Sequence, residues 1–333
     1  MCDRLPHVST PSPGDRVVVR FHKGPGAPAD WRADKSATLS DVIGILESSD
    51  SAVLVVRRGD ESVRVPTSLV QTIKILSIKP VRNSEIRSLE VAAARGWPGL
   101  EWEMISGWRA RAGGGFSRRA NSAVPLEMGA KVDGETIELL RQWYAERDLP
   151  LELAVVTRLI PGSHVPVEDY VITVEALTAP IGVLASPPDH RVDITDSPTE
   201  RWAAKYRAAQ GDSDGALAAA VVSAVDGGTL AFAGIHDSDG ALVAIGRGAV
   251  TDGLRDDRWL GLSALWTAPQ SRGRGLGRSI LTALEQWGEA QGATSTYLQV
   301  ETGHSAAREW YRRLGFSLHH NYGYIDGRAL TAR

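Results

Sequence analysis

The chain has 333 residues, enough for two or three domains with ample core, and its 43% hydrophobic and 23% charged content is ordinary for a folded protein in water. A formal net charge of −3 argues against a general nucleic-acid binder. A single cysteine, Cys2, excludes an internal disulfide framework and a cysteine metal cluster; no apolar run approaches a membrane span, and residues 1–15 lack the apolar stretch of a signal peptide. The expected setting is the cytoplasm, with no membrane association and no bound metal.

The first block, about Gly14–Ile78, alternates short β-rich runs with turns: Arg16–Phe21, Asp41–Leu46, Ala52–Val56, Ser62–Val65 and Ile73–Leu76. That spacing predicts a small SH3-like barrel over residues 1–80. Its aromatic residues are only Phe21 and Trp31 and its charges nearly balance, so the stacking platforms and basic stripe of a nucleic-acid module are missing. A packed accessory domain is the simpler reading.

The second block runs from about Asn83 to Ala179. Ser84 is positioned to cap a helix containing Ile86, Leu89, Val91 and Ala92, with Glu85 in its first turn. A strand is expected around Met104–Ala112, with Gly113-Gly114-Gly115 as a hairpin turn into Phe116–Val124. Ile137, Leu140, Trp143 and Tyr144 share one face of a helix at Gly134–Arg147, and strands follow at Leu151–Thr157 and Tyr170–Ala176. Ser186–Ser197, rich in Pro and Asp, reads as the joint to the last block.

The third block starts near Pro198 with a helix at Glu200–Ala209 and an apolar segment at Leu217–Val225. Leu230–Ile235 and Leu242–Val250 form a hairpin around Asp237-Ser238-Asp239-Gly240. Trp259–Arg278 then reads as a buried strand, a proline-marked exit, a glycine-rich loop and a helix start. Gly273, Gly275 and Gly277 alternate with Arg272, Arg274 and Arg278. Glycines remove the Cβ atoms that would keep a ligand from the main chain, so successive N–H groups can converge on an anion, and the helix start adds its dipole. A pyrophosphate site is expected here. A nucleotide-triphosphate loop would need a lysine that is absent, and a dinucleotide fingerprint fails because Arg278 holds the place of its third glycine. Leu276, Ile280, Leu281, Leu284 and Trp287 recur at helical spacing up to Gly292; Ser295–Glu301 alternates as a strand; Ser305 can cap a last helix and Gly315 can end it.

These motifs resemble those of the GNAT family of N-acetyltransferases. The family's Arg/Gln-x-x-Gly-x-Gly/Ala signature is matched by Arg272-Gly273-Arg274-Gly275-Leu276-Gly277, just after Thr267-Ala268-Pro269 at the place of a Val-x-Pro strand end. Downstream come Glu301 at a strand end, His304-Ser305-Ala306-Ala307 where the family has Asn-x-x-Ala, and Tyr311 with Gly315-Phe316 in a Tyr-x-x-x-Gly-Phe helix end. The resemblance covers roughly residues 200–330, departing from the pattern at Thr267 and His304. The second block is similar to a lobe of that fold lacking the phosphate loop, and Gly107-Trp108-Arg109 with Arg118-Arg119-Ala120-Asn121-Ser122 resembles the front of some double-lobed members. The implied fold class is α/β (α+β): the barrel at 1–80, a degenerate lobe at 81–197 and a competent lobe at 198–333.

The resemblance implies acetyl transfer from acetyl-CoA to a primary amine of a small molecule or protein, without a metal. Leu265, Trp266 and Thr267, the loop Arg272–Arg278 and His304 would hold the acetyl-CoA. Tyr311 stands where the family keeps its general acid, and a phenol with a pKa near 10 can donate at neutral pH. For the base, Glu301 and His304 are the ionisable candidates, since Trp259–Thr267 contains none; proton loss to solvent stays open. Arg109, Arg118, Arg119 and Asn121 could bind an acidic acceptor, or could simply form a solvated strand face. The competing function is a CoA-binding regulatory module with little or no turnover.

Overall fold

The computed structural model describes residues 11, 13–29, 37–59, 61–76, 80–160, 170–184, 188–210, 215–254 and 257–330. Cys2, Trp31 and Ser186, singled out above, lie outside the described residues.

Five N-terminal strands form one antiparallel sheet: β1 (Arg16–His22), β2 (Leu39–Ser49), β3 (Val53–Arg58), β4 (Glu61–Pro66) and β5 (Val70–Leu76). The order is β4-β3-β2-β1-β5, and Val17, Val19, Phe21, Leu46, Leu54, Val56 and Val65 bury one side of it. Among the described residues β4 and β5 do not pair, so the sheet is open where a closed barrel was expected. Each expected strand is present with its ends moved by a few residues.

Helix α1 (Asn83–Gly96) starts one residue before the expected cap Ser84. Its N-cap is Arg82, whose N–H donates to Glu85 Oε2, placed in the first turn as a capping box requires. The strand expected at Met104–Ala112 is a hairpin, β6 (Glu101–Ile105) and β7 (Trp108–Ala112), turning at Ser106 and Gly107 with φ of 47° and 84°. The triple glycine therefore does not make the hairpin. It leads through a helical turn at Arg119–Asn121 into the two-residue β8 (Val124–Pro125). Then come α2 (Gly134–Ala145), β9 (Glu152–Val155), β10 (Ile172–Pro180) and β11 (Asp193–Thr195).

The C-terminal part supplies α3 (Glu200–Gln210), α4 (Gly215–Val222), β12 (Gly228–His236), β13 (Leu242–Asp252), β14 (Arg258–Thr267), α5 (Leu276–Ala290), β15 (Ser295–Glu301), α6 (Ser305–Arg313) and β16 (Ser317–Asp326). Ser305 does not cap α6; the N-cap position is His304, which makes no side-chain cap bond.

One eight-stranded sheet unites both blocks in the order β11-β12-β13-β14-β15-β10-β16-β9. The division drawn at 197 thus crosses a continuous sheet, because β10 sits between β15 and β16 and pairs antiparallel with both. Strand alternation separates two layers. Leu298 and Val300 face α5, whose Leu276, Ile280, Leu281 and Leu284 are buried against them, each worth about 1.5–3 kcal/mol relative to exposure. Tyr297 faces the other way, against Leu89 and Ala93 of α1. Helices α3 and α4 extend this second layer over Phe232 and Ile245, and α2 with β6 and β7 closes the end near β9 and β16. No helix among the described residues is long and apolar enough to cross a membrane.

Candidate active site

Strands β14 and β15 pair in parallel from Trp259↔Ser295 to Leu262↔Leu298, and there the pairing stops. Beyond it β14 continues along β13 while β15 continues along β10, so the two strands part like a wedge. A kink at Ala264, whose φ is 52°, and a register shift against β13 accompany the separation. A left-handed non-glycine residue inside a strand is uncommon and clusters at functional sites. Ser263 Oγ, just before the kink, is buried without a hydrogen-bond partner among the described residues.

From the mouth of the wedge the chain passes through Pro269–Ser271 into the glycine loop. Gly273 and Gly275 take φ of 75° and 81°, and Gly275 is the N-cap of α5. None of the main-chain N–H groups of residues 273–278 has an acceptor among the described residues; the next, Ser279 N–H, donates to Gly275 O at 3.0 Å. Open N–H groups at a helix start form a ready anion cradle. Arg272 is tied loosely to Thr267 O at 3.4 Å, whereas Arg274 and Arg278 make no ion pair among the described residues. At Gly277 a Cβ would lie 3.4 Å from Trp310 Cη2 and 3.7 Å from Thr267 Oγ1, so α5 meets α6 closely here.

The sequence reading missed two residues at this loop. His190 Nε2 lies 2.9 Å from Arg274 O, and Asp189 Oδ2 is 3.8 Å from where a Cβ on Gly275 would stand. Both belong to the Pro- and Asp-rich segment that had been read only as a joint, and nothing local in it signals the contact.

Leu265 packs into the α5-side core, and Trp266 is half-buried with Lys205 Nζ 5.6 Å from its ring. Tyr311 packs between Trp310 and Phe316, with ring centroids 5.0 and 6.0 Å away, and burial pushes its phenol up to about 12. Its helix is pinned to β10 by Arg308, whose Nε donates to Glu175 Oε2 at 2.9 Å. Glu301 and His304 sit exposed at the turn after β15, 50% and 69% accessible and 3.8 Å apart.

Three of the four polar residues flagged in the second block are engaged within the protein. Arg109, 4% exposed, donates to Asp226 Oδ2 at 2.9 Å and lies 3.9 Å over Trp102. Arg118 pairs with Glu152. Asn121 accepts from Gly113 and Gly115 N–H and donates to Phe116 and Ser117 carbonyls, so it shapes the triple-glycine turn. Arg119 alone is left over, at a small cavity on the α1 face with Glu90, Arg111, Gln299, Tyr322 and Tyr324.

Behind that cavity stands a buried chain that the sequence reading also missed. His320 Nε2 lies 3.0 Å from Glu90 Oε1, and His320 Nδ1 lies 2.9 Å from His319 Nδ1. With Glu90 ionised, His319 Nδ1–H donating to His320 and His320 Nε2–H donating to Glu90 is a consistent assignment. Burial, and then the neighbouring His320, hold the His319 pKa down to about 3. The signal was present in outline: Glu90 falls among Ile86, Leu89 and Ala93 at the i, i+3, i+4, i+7 positions of a buried helix face.

Residues 83–325 match the family described as "Probable histone acetyltransferase Rv0428c C-terminal". The Mycobacterium tuberculosis protein named "Probable histone acetyltransferase Rv0428c" is 35% identical over 334 residues, covering 97% of this chain and 98% of its own length. "Uncharacterized N-acetyltransferase YobR" of Bacillus subtilis is 34% identical over 86 residues, covering 26% of this chain and 32% of that protein. A solved GCN5-related N-acetyltransferase from Kribbella flavida aligns with 74% of this chain and 96% of its own at 17% identity and a TM-score of 0.49.

Proposed function

This chain belongs to the Rv0428c-type acetyltransferase family, which makes it an acyltransferase, and from that premise we propose that it moves an acetyl group from acetyl-CoA to a primary amine by direct attack in a ternary complex. The observation that carries the reading is the loop before α5, where six consecutive N–H groups (residues 273–278) lack an acceptor among the described residues, beside strands that part at Leu262 and Leu298.

Those N–H groups hold the pyrophosphate, and Arg272, Arg274 and Arg278 add charge at its rim. Gly275 suits the cradle because it places no Cβ there. The free edge of Leu265, Trp266 and Thr267 offers main-chain groups to an extended amide-bearing arm, as a missing strand would, and His304 lies at the far rim. When bound, acetyl-CoA supplies an activated thioester. The acceptor nitrogen forms the new C–N bond, the C–S bond breaks, and Tyr311 gives its phenolic proton to the leaving thiolate. Glu301 takes the ammonium proton through water, which suits its exposed position. The acceptor is a small-molecule or protein amine, and the name of the M. tuberculosis relative puts a histone among the candidates. The described residues before position 77 make an accessory module whose strand order, β4-β3-β2-β1-β5, supports an SH3-like arrangement left open between β4 and β5.

Calorimetric titration with acetyl-CoA, followed by thiol release in the presence of an amine panel, tests this reading. Binding that is lost in Gly275→Asp, together with amine-dependent thiol release, supports it. A folded wild-type chain that does not bind acetyl-CoA would overturn it.

A further inference from the structure

Of the four polar residues flagged in the second block, Arg119 is the one whose side chain has no ion pair or hydrogen bond among the described residues, and its Nε is buried without an acceptor. The face of Trp97 lies beside it, with the ring centroid 5.6 Å from Cζ. Neighbouring Arg111 lacks this freedom, since it donates to Ser122 O and Ser122 Oγ, each at 3.0 Å. Only Nε is fully enclosed, so the guanidinium keeps donors without a protein acceptor at the cavity, an arrangement suited to an anion.

The cavity's place in the fold says which anion. Gln299, on its lining, belongs to the part of β15 that has already left β14, so the cavity borders the wedge on its α1 side. Across from Arg119, Glu90 is held through Oε1 by His320, while its Oε2 has no partner among the described residues. The lining thus offers two cations, Arg111 already engaged with Ser122 and Arg119 not, and one carboxylate within one small space, with Tyr322 and Tyr324 as further polar groups. That pattern complements a molecule carrying both signs. It opposes a lysine on a basic peptide, which would bring positive charge toward Arg119.

We propose that the acetyl acceptor is an amine bearing a carboxylate or phosphate close to its nitrogen, with Arg119 taking the acidic group and Glu90 facing the ammonium. This rests on the reading of the wedge as the acetyl-CoA site. The cavity encloses about 10 Å³, room for one water-sized group, so an oxygen of a compact acidic group is what it can admit.

Thiol release from acetyl-CoA by the full chain is compared for matched acceptors: phenylalanine against phenethylamine, and phosphoethanolamine against ethanolamine, with a lysine-rich basic peptide as the third arm. A charge-assisted hydrogen bond is worth about 1.5–3 kcal/mol, so kcat/KM for the favoured acidic member should exceed that of its neutral partner by about tenfold or more. The arm that shows the preference distinguishes carboxylate from phosphate. In Arg119→Gln the preference should shrink to within about threefold, with Arg119→Lys intermediate, while acetyl-CoA affinity by calorimetry stays within about twofold. Absence of acetyl-CoA binding to the wild-type chain would fault the cofactor site itself. With binding intact, the proposal is overturned by equal rates within each pair, by no turnover of any acidic acceptor, by preference for the basic peptide, or by a preference that persists in Arg119→Gln. The wild-type comparison decides on its own should Arg119→Gln fail to fold.

Discussion

Gly275 stands at φ 81° directly before α5, where any side chain is strained and where Asp189 already lies close. Gly275→Asp should cost about 1 kcal/mol in backbone strain and place a second carboxylate at the anion cradle. The expected outcome is a loss of acetyl-CoA affinity of more than about tenfold by calorimetry, with the melting temperature lowered only by a few degrees. Unchanged affinity would remove the pyrophosphate from this loop. At Tyr311 the question is proton donation. Because burial holds its phenol up to about 12, the acid form persists across the working pH range, and kcat should show no alkaline limb from this group below about pH 11. Tyr311→Phe deletes one hydroxyl, so turnover should fall about a hundredfold or more while KM for acetyl-CoA changes little. Near-normal turnover would leave Tyr311 a packing residue and water the donor.

Helix α6 owes its position to strand β10, which lies more than a hundred residues earlier in the chain. Glu175 on β10 is 1% exposed and binds Arg308 of α6, with Arg312 Nη2 another 3.7 Å away. Removing the carboxylate leaves a buried guanidinium uncompensated, so Glu175→Ala should destabilise by about 3–5 kcal/mol in urea unfolding. A loss below about 1 kcal/mol would mean that the apolar contacts of α6 hold it without the ion pair. The neighbouring strand β16 gives the fold a pH dependence. His319 faces His320, Arg158 and the Trp259 ring, and it stays neutral in the folded state down to about pH 3. The unfolded chain protonates it near its ordinary 6.5. Between those values the unfolded state binds the extra proton, so stability falls as pH falls, by up to about 1.4 kcal/mol per unit, and the loss is complete below about 3. His319→Asn should flatten the acid side of the curve of unfolding free energy against pH; an identical slope would show that another group controls it.

For the whole molecule, the eight-stranded sheet combines strands of both blocks but has one wedge, between β14 and β15, and one glycine cradle before α5. Titration with acetyl-CoA should therefore saturate at one per chain, and a stoichiometry of two would require a second cradle, which the sequence of 81–197 does not contain. What could be read from the chain alone were features encoded within about twenty consecutive residues. Gly273, Gly275 and Gly277 announce their loop because backbone freedom and anion access belong to those residues themselves. The apolar period of Leu276–Trp287 and the alternation of Ser295–Glu301 place helix, strand and faces for the same reason. Hairpin boundaries were less legible, since Ser106-Gly107 could turn the chain as well as the triple glycine, and only the packing of Trp108 and Asn121 selects between them. Tertiary structure alone decided that β10 enters the sheet between β15 and β16, and that Arg109, Arg118 and Asn121 are consumed while Arg119 is not. It alone brought Glu90 against His320, 230 positions away. Periodicity says that a residue faces inward but not what it will meet there, because strand neighbours and buried charge partners are chosen by the global arrangement of layers, whose contacts no local pattern specifies.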